Sequence, residues 1–359
     1  MSYRAGLLLW FSCAVCAACS DHSGKPPAAS STTAAEEREV AIEADGLTLH
    51  GALSLPARTA GKPVPGLVLV GGSGPIDRDE SVSGQLGMSF GFTMPSFRLL
   101  AAGLSASGFA VLRYDKRSCG RFNGCADNDY PVPAADLTVA TFEGDALSAI
   151  DYLESLPDVD PRRVSVLGHS EGGAFVIPIL TQRSDVRSGV MVSAPFKPLD
   201  QIVTDQTDFL RLLHEQAGAT PARIEQQLAP LEQAEQALAA IRSGSYSGGP
   251  ILGAGQPYWA SLMALGDQNP TLAQKLVRPV LVIGGSYDWN VPPTELTAWA
   301  ASFATSPNAA QYEARLLPCM THALNCVTQA DSAKLQASDI GRDLQAELTP
   351  AIAQFIHAH

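Results

Sequence analysis

Ser170 stands in the run Gly168-His169-Ser170-Glu171-Gly172, and a serine so placed raises the question of what could activate it. A hydroxyl is a weak nucleophile at neutral pH and needs a base to take its proton as it attacks. Seven histidines are available. His22 falls in a polar N-terminal stretch, His50 in an early hairpin, His169 beside the serine, His214 in a helical insertion, and His357 and His359 at the C-terminal end. His169 is expected to leave the turn on the side opposite Ser170. The remaining one, His322 in Pro318-Cys319-Met320-Thr321-His322-Ala323, follows the last strand-like run and is the candidate base. Such an imidazole must be held in one tautomer, and the charge it gains must be offset. Asp288, in the loop after Val280-Leu281-Val282-Ile283, suits this role best, with Asp200 as the reserve. The chemistry these three types perform together is acyl transfer.

Positioning them requires a particular kind of scaffold. Val164-Ser165-Val166-Leu167 leads into the serine run and Ala174-Phe175-Val176-Ile177 follows it, a pattern of strand, tight turn and helix. Gly168 and Gly172 leave room where a Cβ would collide with neighbouring backbone. Similar apolar runs recur at Leu67-Val70, Ala110-Leu112, Val190-Val192, Val280-Ile283 and Ala314-Leu317. Runs of this kind suit strands buried on both faces of a parallel sheet. Val40–Ala44 and Leu47–Leu55 alternate as an antiparallel pair around Asp45-Gly46, a favoured hairpin turn. Apolar residues at helical spacing mark 136–156 and 344–357. The expected architecture is an α/β fold with a doubly wound, mostly parallel sheet and the site at the carboxyl ends of its strands.

The alternation stops over 197–277. Thr220-Pro221 forms a helix start, and Ile224, Leu228, Leu231, Leu238 and Ile241 recur at helical spacing around a kinking Pro230. This predicts a helical cap inserted into a core of 40–196 and 278–359.

Gly168-His169-Ser170-Glu171-Gly172 resembles the nucleophile elbow of the α/β-hydrolase fold family, and the chain from Val40 onward is similar to that fold. Gly72-Ser73-Gly74-Pro75-Ile76-Asp77-Arg78-Asp79 resembles a stretch in its exported, esterase-like acyl-hydrolase branch. His322 stands where the family keeps its histidine, and Trp289-Asn290-Val291-Pro292 resembles the usual sequel to its aspartate. The resemblance implies a serine hydrolase cleaving a carboxylic ester through an acyl-enzyme, with no cofactor and no metal. The tetrahedral oxyanion of such a reaction needs donors in place beforehand. The N–H of Glu171 is one candidate; the other comes from the Gly71-Gly72-Ser73-Gly74 loop, where Ser73 is preferred and Gly72 is next. The family often has a histidine where this chain has Gly71, which takes that side chain out of the loop's support and leaves the main-chain donor in place. Arg78 and Arg117 are expected to tie loops rather than to join the catalytic set. The same machinery serves a thioesterase, an aminopeptidase-like peptidase or an acyltransferase. A surface lipoprotein that keeps the fold only to bind a ligand is the reading from another class.

The 359 residues are 46% hydrophobic and carry a formal charge of −12. That balance repels a phosphate backbone and argues against nucleic acid, leaving a small acyl substrate as the expected partner. Residues 1–19 have the charged start, apolar centre and small-residue end of a signal peptide. Cys16-Ala17-Ala18-Cys19 resembles a bacterial lipobox, which would lipidate Cys19 and make 20–39, rich in Ser, Thr, Ala, Pro and Glu, a disordered tether to a membrane. An ordinary secretory signal is the alternative, and either exports the protein. Four cysteines remain beyond the leader. In an oxidising compartment they suggest disulfides, and of three connectivities the short spacings favour Cys119 with Cys125 and Cys319 with Cys326. A zinc site would call for a Cys-x-x-Cys pair, which this part of the sequence lacks.

Overall fold

The computed structural model describes residues 32–82, 94–119, 125, 136–329, 334 and 336–359. The expected signal peptide of 1–19, with Cys19, and most of the expected tether lie outside them. Thr32–His359 form one compact unit.

The chain enters through β1 (Glu36–Ala44) and turns into β2 (Leu47–Leu55). Asp45 and Gly46 take φ of 48° and 77°, which two-residue hairpins require and aspartate and glycine tolerate best. Then follow β3 (Val64–Val70), α1 (Ser96–Ala106), β4 (Ala110–Tyr114), α2 (Val139–Glu154), β5 (Val159–His169), α3 (Glu171–Gln182) and β6 (Gly189–Val192). Three helices come next, α4 (Leu199–Gln216), α5 (Pro221–Arg242) and α6 (Gln256–Lys275). The sheet resumes with β7 (Val280–Gly285), α7 (Pro293–Ala304) and β8 (Tyr312–Leu317), and α8 (Leu348–Ala358) closes the chain. The eight strands lie in the order β8-β7-β6-β5-β3-β4-β2-β1. Only β1 and β2 run antiparallel to their neighbours; the pairings from β4 through to β8 are parallel.

Because side chains alternate across a strand, each strand feeds two cores. Val68, Val70 and Val166 face a layer containing Phe142 and Ile150 of α2 and Phe175 of α3. Leu67, Leu69 and Leu167 face the other, against Phe97 and Leu100 of α1 and Ile352 and Phe355 of α8. This double burial is why the apolar runs of β3, β5, β6 and β7 carry no polar alternation.

The tether expected over 20–39 does not hold at its C-terminal end. Glu36–Glu39 already belong to β1, paired with Ala52–Leu55, and Thr32–Thr33 pair with Arg58–Thr59. Polar composition misled because β1 is an edge strand whose first four side chains are exposed, so pairing needs no apolar residues there. The C-terminal helix likewise starts later, at Leu348, since Ile340–Leu344 pair with Asn325–Val327. Disulfides join Cys119 to Cys125 and Cys319 to Cys326. Among the described residues no helix is long and apolar enough to cross a membrane.

Candidate active site

Ser170 occupies the turn between β5 and α3 with φ of 54° and ψ of −122°. That backbone is unfavourable for any L-residue, costing about 1–3 kcal/mol, and persists because the surroundings over-determine it. The Ser170 N–H donates to Val192 O of β6, and the Gly173 N–H donates back to Ser170 O, each at 2.9 Å. A Cβ on Gly168 would overlap the carbonyl of Gly172, and one on Gly172 would overlap that of Val70. The two glycines thus let α3 press against β5 and β3, which forces the turn and lifts the hydroxyl clear of the sheet.

The loops after β7 and β8 bring the other two candidates to it. His322 Nε2 lies 3.0 Å from Ser170 Oγ, and Nδ1 lies 2.9 and 3.1 Å from the two carboxylate oxygens of Asp288. Asp288 is fully enclosed and also accepts the Val291 N–H at 2.9 Å, which fixes its plane. His322 sits near the tip of a tight loop closed by the Cys319–Cys326 bond and by the Thr321 N–H donating to Asn325 O at 2.8 Å. Asp200, the reserve, belongs to another group: it is bidentate with Arg242, joining α4 to α5.

Of the two amide donors considered from the early loop, Gly72 is spent, since its N–H donates to Glu80 Oε1 at 2.8 Å. Among the described residues the N–H groups of Ser73 and Glu171 have no acceptor, and both residues line one cavity with Ser170. This cavity, of about 50 Å³, is walled by Ala174 and by Leu199, Ile202, Leu262, Leu265 and Val291. Four of those six come from α4 and α6, so these two helices form much of the wall.

Residues outside the predicted set hold this arrangement. Glu80, fully buried at φ of 45°, joins the Gly72 N–H to His169 Nδ1, 2.9 Å away. The His169 ring does not simply leave the far side of the turn; its centroid is 4.8 Å from that of His322. Burial opposes a charge on His169, but the Glu80 carboxylate outweighs it and holds the imidazole above its ordinary pKa. Lys116 bonds to Gly72 O at 2.8 Å and to Glu171 Oε1 at 3.0 Å, while the Tyr258 hydroxyl donates to Glu171 Oε2. Burial first, and Glu171 second, push the Tyr258 phenol well above its usual value, so it stays a donor. No motif singles out Glu80, Lys116 or Tyr258. Glu80 and Lys116 lie within charged runs, Asp77-Arg78-Asp79-Glu80 and Asp115-Lys116-Arg117, where nothing sets them apart from their neighbours. Arg78 pairs with Asp115 and Arg117 with Asp145, both tying loops. Among the described residues no cluster of His, Cys, Asp or Glu could hold a metal.

The profile of the alpha/beta hydrolase family matches residues 49–333. Esterase EstD of Thermotoga maritima is 30% identical over 278 residues, which cover 76% of this chain and 57% of EstD, so the match spans little more than half of that relative's length. Two solved structures share the fold at 15% identity and a TM-score of 0.53. The Pyrococcus furiosus esterase Pf2001 is matched over 90% of this chain and 91% of its own. The Pyrococcus horikoshii acylaminoacyl peptidase is matched over 90% of this chain and 42% of its own.

Proposed function

The chain belongs to the alpha/beta hydrolase family, and from that premise we propose that it hydrolyses carboxylic esters through an acyl-enzyme on Ser170. His322 Nε2 takes the hydroxyl proton as Oγ attacks the carbonyl carbon, and Asp288 keeps Nδ1 protonated and offsets the imidazolium. The oxyanion is received by the N–H groups of Ser73 and Glu171. As the tetrahedral adduct collapses, the imidazolium gives its proton to the departing alcohol. Water then attacks the acyl-enzyme with His322 again as base, releasing the acid and restoring the serine.

One observation carries this reading: Nε2 is 3.0 Å from Oγ while Nδ1 faces both oxygens of a sealed carboxylate. A core histidine satisfied for structural reasons would not need a strained serine at its other nitrogen. The family's esterase relative supports the ester over other acyl bonds. A cavity of about 50 Å³ at the carbonyl site favours a short acyl group. Helices α4 and α6 of the cap shape it. The two disulfides suit an extracytoplasmic location; lipidation at Cys19 would tether the enzyme there.

The test is labelling by a fluorophosphonate together with turnover of nitrophenyl esters of increasing acyl length, acyl thioesters and aminoacyl amides. The expected result is labelling lost in S170A and kcat/KM highest for acetyl to butyryl esters. An unlabelled wild-type protein would leave only the binding-protein reading, and a thioester or amide as best substrate would move the assignment within the family.

A further inference from the structure

We propose that Lys116 is a positioning residue for the oxyanion-binding amides, a role that rests on the hydrolase reading above. A trans peptide is planar, so its C=O and N–H point in opposite directions along one rigid unit. The carbonyl of Gly72 and the N–H of Ser73 belong to the same unit. Lys116 Nζ, 2.8 Å from Gly72 O, therefore sets where the Ser73 N–H points and polarises that N–H as a donor. The unit sits hard against the nucleophile, since a Cβ on Gly72 would come within 3.1 Å of Ser170 Cβ.

The same ammonium reaches the other donor's residue. It bonds to Glu171 Oε1 at 3.0 Å, and Glu171 is the cavity-lining residue whose own N–H is the other proposed donor. One buried cation thus spans the two elements that carry the donors, the loop after β3 and the start of α3, and fixes their separation. Lys116 is itself enclosed and held from several sides. Its side chain is 8% exposed, its ammonium lies 4.4 Å from the centroid of the Phe142 ring, and its backbone N–H donates to Ile76 O at 3.0 Å. The Glu171 carboxylate leaves little net charge to act on substrate directly, so the ammonium works through the peptide it orients. Such preorganisation matters because donors aimed beforehand need no rearrangement as charge develops.

The experiment compares wild type, K116M, K116R and the double variant K116M/E171Q on a nitrophenyl acetate, with kcat referred to the concentration of sites titrated by fluorophosphonate. That normalisation removes any misfolded fraction, and the double variant leaves no unpaired carboxylate if K116M folds poorly. The expected result is a kcat lower by roughly ten- to hundredfold in both methionine variants, less than the loss of a donor outright, with KM within about threefold and partial recovery in K116R. A kcat per titrated site within threefold of wild type in the methionine variants, or a change confined to KM, overturns the lysine's role. Hydrolysis that persists in S170A would instead overturn the reading on which it rests, and the role with it.

Discussion

Two imidazole–carboxylate pairs lie back to back behind Ser170, and they differ in what their outer nitrogens meet. In His322–Asp288 the far nitrogen faces a serine oxygen at 3.0 Å and the ring is 17% exposed. In His169–Glu80 both members are sealed, and among the described residues neither His169 Nε2 nor Glu80 Oε2 makes a hydrogen bond of ordinary geometry. The same two functional groups thus serve opposite ends. On the proposed mechanism the pair that exchanges protons opens onto a cavity, whereas the pair that holds a loop is shut away from water, where its attraction is strongest. Glu80 uses one oxygen for both His169 and the Gly72 N–H, so the closed pair braces the loop that the open pair's chemistry depends on.

This contrast is sharpest in kinetics. D288N should lower kcat by on the order of 10⁴-fold, because the imidazole loses its orienting charge and tautomer. E80Q should lower it about tenfold, short of the 10²–10³ expected when an oxyanion donor is lost. Comparable losses at both positions would erase the distinction between an acting and a bracing pair. The disulfides divide along the same line. Removing Cys319–Cys326 in C319S/C326S should cost roughly 2 kcal/mol in urea denaturation by the loop-entropy argument and also lower kcat, since His322 lies within the closed loop. Removing Cys119–Cys125 should cost a similar amount with a smaller effect on kcat. Unchanged kinetics in C319S/C326S would show that the loop holds its shape through its hydrogen bonds alone.

The smallest effect is a pH dependence of stability. His169 has a folded pKa above its ordinary value, so its pairing contributes fully below the unfolded value of about 6.5 and is lost as pH rises through the folded one. The stability gap between wild type and E80Q should accordingly narrow as pH is raised from 5.5 to 8.5, as read by denaturation midpoints. A gap that widens with pH would mean that the pair is not charged as described.

The sheet was legible from residues alone because strands buried on two faces announce themselves in uninterrupted apolar runs. The juxtaposition of Ser170, Asp288 and His322 was legible because each follows one of those runs. Glu36–Glu39 were not, because an exposed edge strand is held by backbone bonds that leave no apolar signature. Glu80 and Lys116 were hidden for a different reason. Their partners are a main-chain N–H and C=O of Gly72, and a sequence does not show which amide a distant charge will find. Tyr258 looked like a core aromatic, and for most of its surface it is one.

The bond from Tyr258 to Glu171, with that from Gln206 to Asn290 O at 2.7 Å, has an engineering consequence. Helices α4 and α6 contribute walls to the cavity, which invites exchanging the 199–275 segment to retune selectivity. Yet the exchange would remove the phenol that steadies the residue after Ser170, and with it the amide that anchors a carbonyl two positions beyond Asp288. A chimera that transplants this segment therefore has to bring its own phenol and amide, or it will alter turnover along with taste.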